Sequence, residues 1–150
     1  MRSRILAVAV AVLTTFSVGT PSLAVEGRYS YGSVQVSCAP WDGPAVQVRL
    51  TTEPAHCKPS RGPYVFIAVW RGLPLRSGQT VKFGPGSDAG TASRCIKEGD
   101  CQAARSGTVV FDRFEDGTGA AGRYELIFKD GDVVKGTFDA TWCPVHAVCG

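Results

Sequence analysis

Asparagine is absent from the chain, histidine occurs only twice, and the only methionine is Met1. Without Asn there is no acceptor for N-glycosylation and no Cys-His-Asn catalytic arrangement.

An excess of one charge is also lacking. Of the 16 basic residues, Arg2 and Arg4 lie in the first 24 positions, so the rest of the chain nearly balances its 13 acidic residues at a net charge of about +1. Nucleic-acid binders normally present a basic face, so nucleic acid is not an expected partner.

Long apolar runs are lacking too, except near the amino terminus. The basic start is followed by nine apolar residues from Ile5 to Leu13, and Ser22-Leu23-Ala24 resembles a signal peptidase site. These three parts, in this order, predict a signal peptide over residues 1–24. A bilayer span needs about 20 apolar residues, so no membrane attachment is expected after signal removal. Residues 25–150 are then expected to form a single secreted β domain. Its expected location is outside the cell or in a periplasm.

The periodicity after residue 24 is that of strands. Apolar and polar residues alternate with period two in most segments, and no segment has a helical apolar stripe. The pattern predicts an all-β fold, an antiparallel β-sandwich or small barrel of about seven strands, disulfide-stapled. Residues 80–83 are expected to form an edge strand. The predicted strands lie within residues 33–38, 46–51, 65–70, 80–83, 108–114, 124–129 and 134–142.

The last hairpin contains an Asp-Gly pair that favours a two-residue turn. That turn would place the apolar row of one strand opposite the polar row of the next, which a buried face forbids. A three-residue loop ending at Gly131 restores the match, with Leu126 opposite Val134 and Tyr124 opposite Gly136. We therefore predict the longer loop, with Gly131 in the left-handed conformation of a bulge turn.

The segment from Gly84 to Gly107 contains no apolar alternation that predicts a strand. It begins with a Gly-Pro-Gly sequence, and it leaves room for one short helix between Ala89 and Ala104. We expect a long loop here, tied down by the two cysteines inside it.

All six cysteines follow the predicted signal, and an even count in an exported protein predicts disulfides. Short loops close most easily, so the spacing favours the local pairs Cys95–Cys101 and Cys143–Cys149, which leaves Cys38–Cys57. A link from Cys38 to Cys143 is the main rival. The residues expected in disulfides are thus Cys38, Cys57, Cys95, Cys101, Cys143 and Cys149.

A metal site is the alternative use of the last cysteines. Cys143, His146 and Cys149 follow a Cys-x-x-His-x-x-Cys pattern, and His56 could add a fourth zinc or copper ligand. The spacing is not that of a standard zinc finger, and an oxidising compartment favours disulfides. We therefore expect neither a metal nor a cofactor.

Catalytic motifs are not found. The sequence has no Gly-x-Ser-x-Gly and no phosphate-binding Gly-Lys-Ser/Thr, and Asp139 is only one of many acids that could orient His146. Asp112, Glu115 and Asp116 resemble half of a calcium loop, but the remaining ligand positions are missing, so a solvated turn is expected. The sequence predicts that the protein is not an enzyme.

Aromatic residues beside charged ones are the best remaining indication of function. Trp41-Asp42 lies in a predicted turn, Arg71 follows the apolar strand, and Arg61 precedes it. We take Trp41, Asp42, Arg61 and Arg71 as candidate ligand-binding residues of a non-catalytic module whose unknown partner is a protein or a glycan. The alternatives are an inhibitor of a secreted hydrolase that uses the Cys95–Cys101 loop, and a small metal- or His-dependent hydrolase that uses His146.

Overall fold

The computed structural model describes residues 25–54, 57–58, 62–70 and 75–150, and none of these residues is helical. The predicted signal peptide lies outside them, so export stays a prediction. In chain order the strands are β1 (Val25–Glu26), β2 (Tyr31–Cys38), β3 (Pro44–Thr51), β4 (Tyr64–Val69), β5 (Gln79–Phe83), β6 (Gly90–Lys97), β7 (Asp100–Glu115), β8 (Gly119–Phe128) and β9 (Val133–Trp142).

Seven strands close into a barrel. Neighbours follow the order β2-β3-β4-β6-β7-β8-β9, and β9 returns to β2 in a parallel pairing that places Val34 opposite Trp142. Strand β5 pairs with an edge of β7, and β1 pairs with β9. The expected all-β, disulfide-stapled fold of about seven strands is therefore confirmed, and the choice between sandwich and barrel is resolved as a closed barrel.

Inward-facing apolar side chains fill the barrel. Phe111 contacts Phe138 and Phe114 edge to face, with ring centroids 6.1 and 6.0 Å apart. Burying a side chain of this size contributes roughly 1.5–3 kcal/mol relative to leaving it exposed. The largest fully buried side chains are those of Phe111, Phe128, Leu50, Ile67, Leu126, Val34, Val48, Val65, Val69 and Val109.

The register of the last hairpin is as predicted. Leu126 lies opposite Val134, and Tyr124 lies opposite Gly136. The backbone N–H of Phe128 donates to the Asp132 carbonyl at 2.9 Å, which leaves a three-residue loop. Gly131 has φ +87°, the left-handed conformation that the bulge turn requires.

The prediction of a long loop over residues 84–107 is wrong. Residues 90–97 form β6, residues 100–103 begin β7, and no helix is present between them. The apolar pattern is weak because Arg94, rather than an aliphatic residue, occupies an inward position beside Ala92. The two strands join through a tight turn in which Gly99 has φ +79°.

The disulfide pairing is only partly as predicted. Cys95–Cys101 is present, but Cys38 bonds to Cys149 and Cys57 bonds to Cys143, so the expected Cys38–Cys57 and Cys143–Cys149 pairs are wrong. The rival Cys38–Cys143 link does not form either. The zinc alternative is corrected as well, because both cysteines of the Cys-x-x-His-x-x-Cys pattern are in disulfides.

Three disulfides indicate an oxidising environment, such as that outside the cytoplasm. Within the described part of the chain, no helix is long and apolar enough to cross a bilayer.

Disulfide removal provides a test of the long-range pairing. Cys38 and Cys149 are 111 residues apart in sequence, whereas Cys95 and Cys101 are 6 apart. The chain-entropy relation assigns about 5 kcal/mol to the longer loop and about 2 kcal/mol to the shorter one. We expect a Cys38→Ala/Cys149→Ala protein to lose more free energy of unfolding in urea than the matched Cys95→Ala/Cys101→Ala protein. An equal or smaller loss would contradict this assignment.

The segment before β2 is held against the barrel by Tyr124. The Tyr124 hydroxyl donates to the Tyr29 carbonyl at 3.0 Å, and both side chains are buried. Burial, together with the neighbouring Tyr29, raises the pKa of Tyr124 from 10.0 to about 12. The unfolded chain therefore loses this proton at lower pH than the folded protein does. The stabilisation is complete below pH 10 and is lost as pH rises toward about 12.

A Tyr124→Phe substitution tests this contact. It leaves the Tyr29 carbonyl without its donor, so we expect a loss of about 1–2 kcal/mol in the free energy of unfolding at neutral pH. Between pH 10 and 12 the free energy of unfolding, measured in urea at each pH, should fall less steeply with pH than that of the wild-type protein. Tyr31→Phe, at an exposed tyrosine, is the control and should leave the profile unchanged. An unchanged profile for Tyr124→Phe would exclude this role.

Candidate functional site

The two ends of the barrel are built differently. The β6–β7 and β8–β9 hairpins lie at one end, which we call the hairpin end. Residues 143–150 follow β9, and we call them the tail. The tail lies at the other end together with the β2–β3 and β7–β8 turns, and we call this the tail end.

Arg94 closes the interior at the hairpin end. Its guanidinium donates hydrogen bonds to Asp130, to Asp132 at 2.8 Å and to Gln102 at 2.8 Å, and lies 4.4 Å from the centroid of the Phe128 ring. The β8–β9 loop is thereby tied to β6 across the barrel mouth. An inward-facing charge is tolerated here because carboxylates and an aromatic face surround it.

The protonation states at this end follow from the same contacts. Partial burial acts against the charge of Arg94, but Asp132 and Asp130 outweigh it and raise the arginine pKa. Desolvation acts against the charge of Asp130, but hydrogen bonds from the Asp132 backbone and Gln102, together with the charge and hydrogen bond of Arg94, outweigh it and lower the pKa of Asp130. The ion pair is therefore fully charged at neutral pH.

The tail end instead has an apolar groove of about 580 Å³, which we call the tail groove. The tail forms one wall and the barrel mouth forms the floor. Among the described lining residues, Asp116 has the one ionisable side chain. The lining residues are Val36, Ser37, Pro44, Ala45, Val46, Leu75, Phe114, Asp116, Trp142, Ala147 and Cys149.

A β-bulge in β7 directs Phe114 into this groove. Phe111 lies opposite Gly122 and Arg113 opposite Ala121, so Asp112 is the extra residue between two paired positions. The extra residue inverts the alternation, because without it Arg113 would face inward in place of Phe114. Phe114 then contacts the Trp142 ring edge to face, at 6.2 Å between centroids.

Covalent bonds hold the tail in place. The backbone N–H of Cys143 donates to the Val34 carbonyl at 2.8 Å and continues the β2–β9 pairing by one residue. Beyond it the tail forms no strand, and Cys149 is bonded to Cys38 at the end of β2. Val148 is 92% exposed. The position of the tail therefore depends on its two disulfides more than on its own packing.

The predicted site residues Trp41 and Asp42 lie in the β2–β3 turn, at the same tail end. The Trp41 ring contacts the Trp70 ring edge to face at 5.6 Å, and Trp41 is 50% exposed. A Cβ atom on Gly43 would lie 2.6 Å from the Trp41 Nε1, so only glycine fits beneath the indole. Asp42 has φ +61° and donates its backbone N–H to the Ala39 carbonyl at 3.0 Å.

The other two predicted site residues, Arg61 and Arg71, lie outside the described residues. Periodicity alone missed Leu75 and Phe114, although one signal for Phe114 was present. The aromatic residues at 111 and 114 are three apart, which does not fit strict alternation and indicates a bulge. Nothing in the sequence indicated that Ala147 of the tail would face Phe114 across a groove.

The residues of the hydrolase and inhibitor alternatives also have defined positions in the structure. His146 is exposed on the tail, and the Asp139 carboxylate accepts a hydrogen bond from Arg113 at 3.1 Å. Among the described residues, no group of three or more His, Cys, Asp or Glu could hold a metal ion. In the β6–β7 hairpin, the Glu98 carboxylate accepts a hydrogen bond from Arg49 at 3.0 Å, while residues 96–101 are all exposed.

No protein family, curated protein or solved structure significantly matches this chain. Function is therefore argued from the geometry of the surface alone. The tail end is the better candidate site, because it combines an apolar groove with exposed aromatic and aliphatic side chains. The cavity of about 440 Å³ at the hairpin end is instead lined partly by Arg28, Arg94 and Asp100.

The backbone conformation at Asp42 yields a prediction about the stability of the protein. A non-glycine residue in the left-handed region is strained by about 1–2 kcal/mol, least for Asp and Asn. We expect Asp42→Gly to keep or raise the thermal midpoint, and Asp42→Val to lower the free energy of unfolding by about 1–2 kcal/mol. Asp42→Asn should leave stability unchanged. A stable Asp42→Val protein would exclude the left-handed conformation.

Proposed function

We propose that the protein is a secreted, non-catalytic binding module that accommodates a bulky apolar side chain of a partner protein in the tail groove. The observation that carries the proposal is the asymmetry of the barrel. Charged residues such as Arg94 and Asp100 line the cavity at the hairpin end, whereas Phe114, Trp142 and Leu75 line the groove at the tail end.

The size and the lining of the groove support this function. Its volume of about 580 Å³ is within the range of roughly 300–1,000 Å³ that is typical of ligand pockets. Exposed Trp41, Val145 and Val148 extend the apolar character around the tail end. Aromatic residues with few charges are typical of the centre of a protein interface.

The polar groups of the groove favour a protein partner over a glycan at this site. Among its described lining residues, Asp116, Ser37 and the indole N–H of Trp142 are the polar groups, apart from the disulfide-bonded Cys149. A sugar ring presents several hydroxyl groups, and each would lose its water without gaining a partner in such a groove. An aliphatic or aromatic side chain avoids that cost.

The covalent anchoring of the tail supports tight binding. A groove wall that is held by Cys38–Cys149 and Cys57–Cys143 does not need to be ordered when the partner arrives. Pre-organisation of this kind reduces the entropic cost of association. The hydrolase alternative gains no comparable support, since His146 has no catalytic partner among the described side chains. The Cys95–Cys101 loop of the inhibitor alternative is exposed, but among the described residues no apolar groove adjoins it that compares with the tail groove.

Selection from a random-peptide library would test the proposal. Ala147 lines the groove and is exposed, so Ala147→Arg fills the groove without opening the core. His146→Arg is the matched control, because His146 is exposed and does not line the groove. We expect the selected peptides to share a Trp, Phe or Leu anchor, and to bind Ala147→Arg at least about tenfold more weakly than the control, or about 1.4 kcal/mol.

Two outcomes would contradict the proposal. Peptides that bind Ala147→Arg as well as they bind His146→Arg would place the binding surface elsewhere on the barrel. Selection that yields no shared apolar anchor would remove the proposed ligand chemistry. Thermal unfolding of both variants would verify that each is folded before its affinity is interpreted.

A further inference from the structure

A second cleft, unrelated to the tail groove, lies on the outer wall of the barrel over β2 and β3. We call it the outer cleft, and its volume is about 230 Å³. Ser33 lies directly opposite Arg49, and Gln35 lies directly opposite Gln47. Opposite residues of an antiparallel pair project to the same face, so two polar cross-strand pairs form the floor.

The wall of the outer cleft comes from the β3–β4 connection. Cys57 and Lys58 line the cleft, and the Cys57–Cys143 disulfide fixes this point of the connection to the end of β9. Cys57 has φ +63°, a conformation in which the chain turns sharply. The wall is therefore in place without a ligand, and the cleft is a built feature of the oxidised fold.

The chemistry of the outer cleft is the reverse of that in the tail groove. The described residues that line it include two cations, two primary amides and one hydroxyl, with no carboxylate among these described residues: Ser33, Gln35, Gln47, Arg49, Cys57 and Lys58. A primary amide both donates and accepts hydrogen bonds, which suits the hydroxyl groups of a sugar. The two cations add a preference for an anionic ligand.

Arg49 is held rigidly at the floor. Its guanidinium lies 3.7 Å from the centroid of the Tyr64 ring and donates to Glu98 at 3.0 Å. Its Nε is buried and has no acceptor among the described residues. A guanidinium has five N–H donors, so Arg49 retains capacity toward a ligand oxygen after its bond to Glu98.

An aromatic side chain lies two positions before Ser33 on the same face. Tyr31 is 48% exposed and lies opposite Thr51 at the beginning of β2. An exposed ring at the margin of a polar cleft offers a flat apolar surface for the carbon face of a sugar. The cleft is smaller than a typical drug-sized pocket, so it suits a single sugar ring.

We propose that the outer cleft binds one uronic acid residue of an acidic polysaccharide. Lys58 pairs with the sugar carboxylate, Arg49 offers a further donor beside its bond to Glu98, and the amides of Gln35 and Gln47 hydrogen-bond the sugar hydroxyls. Tyr31 lies beyond the cleft on the same strand face. This proposal rests on the outer wall of the barrel alone and does not depend on the tail groove.

Titration of the full oxidised protein, followed by NMR or calorimetry, tests this site. The probes are an oligogalacturonate, a neutral oligosaccharide of the same length, and inorganic sulfate. We expect saturable binding of the oligogalacturonate with shifts at β2 and β3, and none with the neutral sugar. Lys58→Glu should weaken binding at least about tenfold. Lys82→Glu on the exposed face of β5 is the matched control and should not weaken it.

Gln47→Leu distinguishes a sugar from a simple anion. If amide–hydroxyl bonds contribute, this variant should weaken oligogalacturonate binding several-fold and leave any sulfate binding unchanged. Equal affinity for sulfate and oligogalacturonate, with no effect of Gln47→Leu, would show a general anion site and overturn the proposal. The absence of saturable binding at millimolar ligand would overturn it as well. Arg49 is kept intact because it supports Tyr64 and Glu98.

Discussion

The parallel pairing of β2 with β9 determines the rest of the architecture. It pairs the first barrel strand with the last one, so each of the seven barrel strands has a paired neighbour on both sides. Closure also places the end of β9, at Trp142, beside Val34 in the middle of β2. The tail must then continue along the second half of β2, and it forms the wall of a groove at that end of the barrel.

The same pairing explains why the disulfides could not be predicted from spacing. Cys143 follows directly after the residue that pairs with Val34, so its neighbours in space belong to β2 and to the β3–β4 connection. Loop-closure entropy in the unfolded chain favours local pairs, but the geometry of the folded chain decides which sulfurs meet. Cys95–Cys101 was predictable because it joins adjacent strands of one hairpin, where local spacing and folded geometry agree.

Sequence reasoning succeeded where one face of a strand is purely apolar. Register in the β8–β9 hairpin followed from matching apolar rows, and this requirement overrode the local preference of Asp-Gly for a shorter turn. It failed for β6, because an arginine takes an inward position at the barrel mouth. The two carboxylate partners of Arg94 come from the β8–β9 hairpin, 36 and 38 residues further along the chain. No local pattern contains such a contact. Of the candidate site, the sequence indicated the Trp41–Asp42 turn, but the groove depends on a bulge and on the path of the tail.

The tail connects the compartment of the protein to its proposed function. It contributes no strand after Cys143, and it leaves Val145 and Val148 exposed, so it buries too little apolar surface to be ordered by packing alone. Its two disulfides replace that missing packing, and both exist only where cysteines are oxidised. Without these disulfides the tail groove would lose one wall, and the outer cleft would lose the anchor at Cys57. The binding proposed for either surface would therefore depend on the oxidised state, while the barrel core relies on hydrophobic burial.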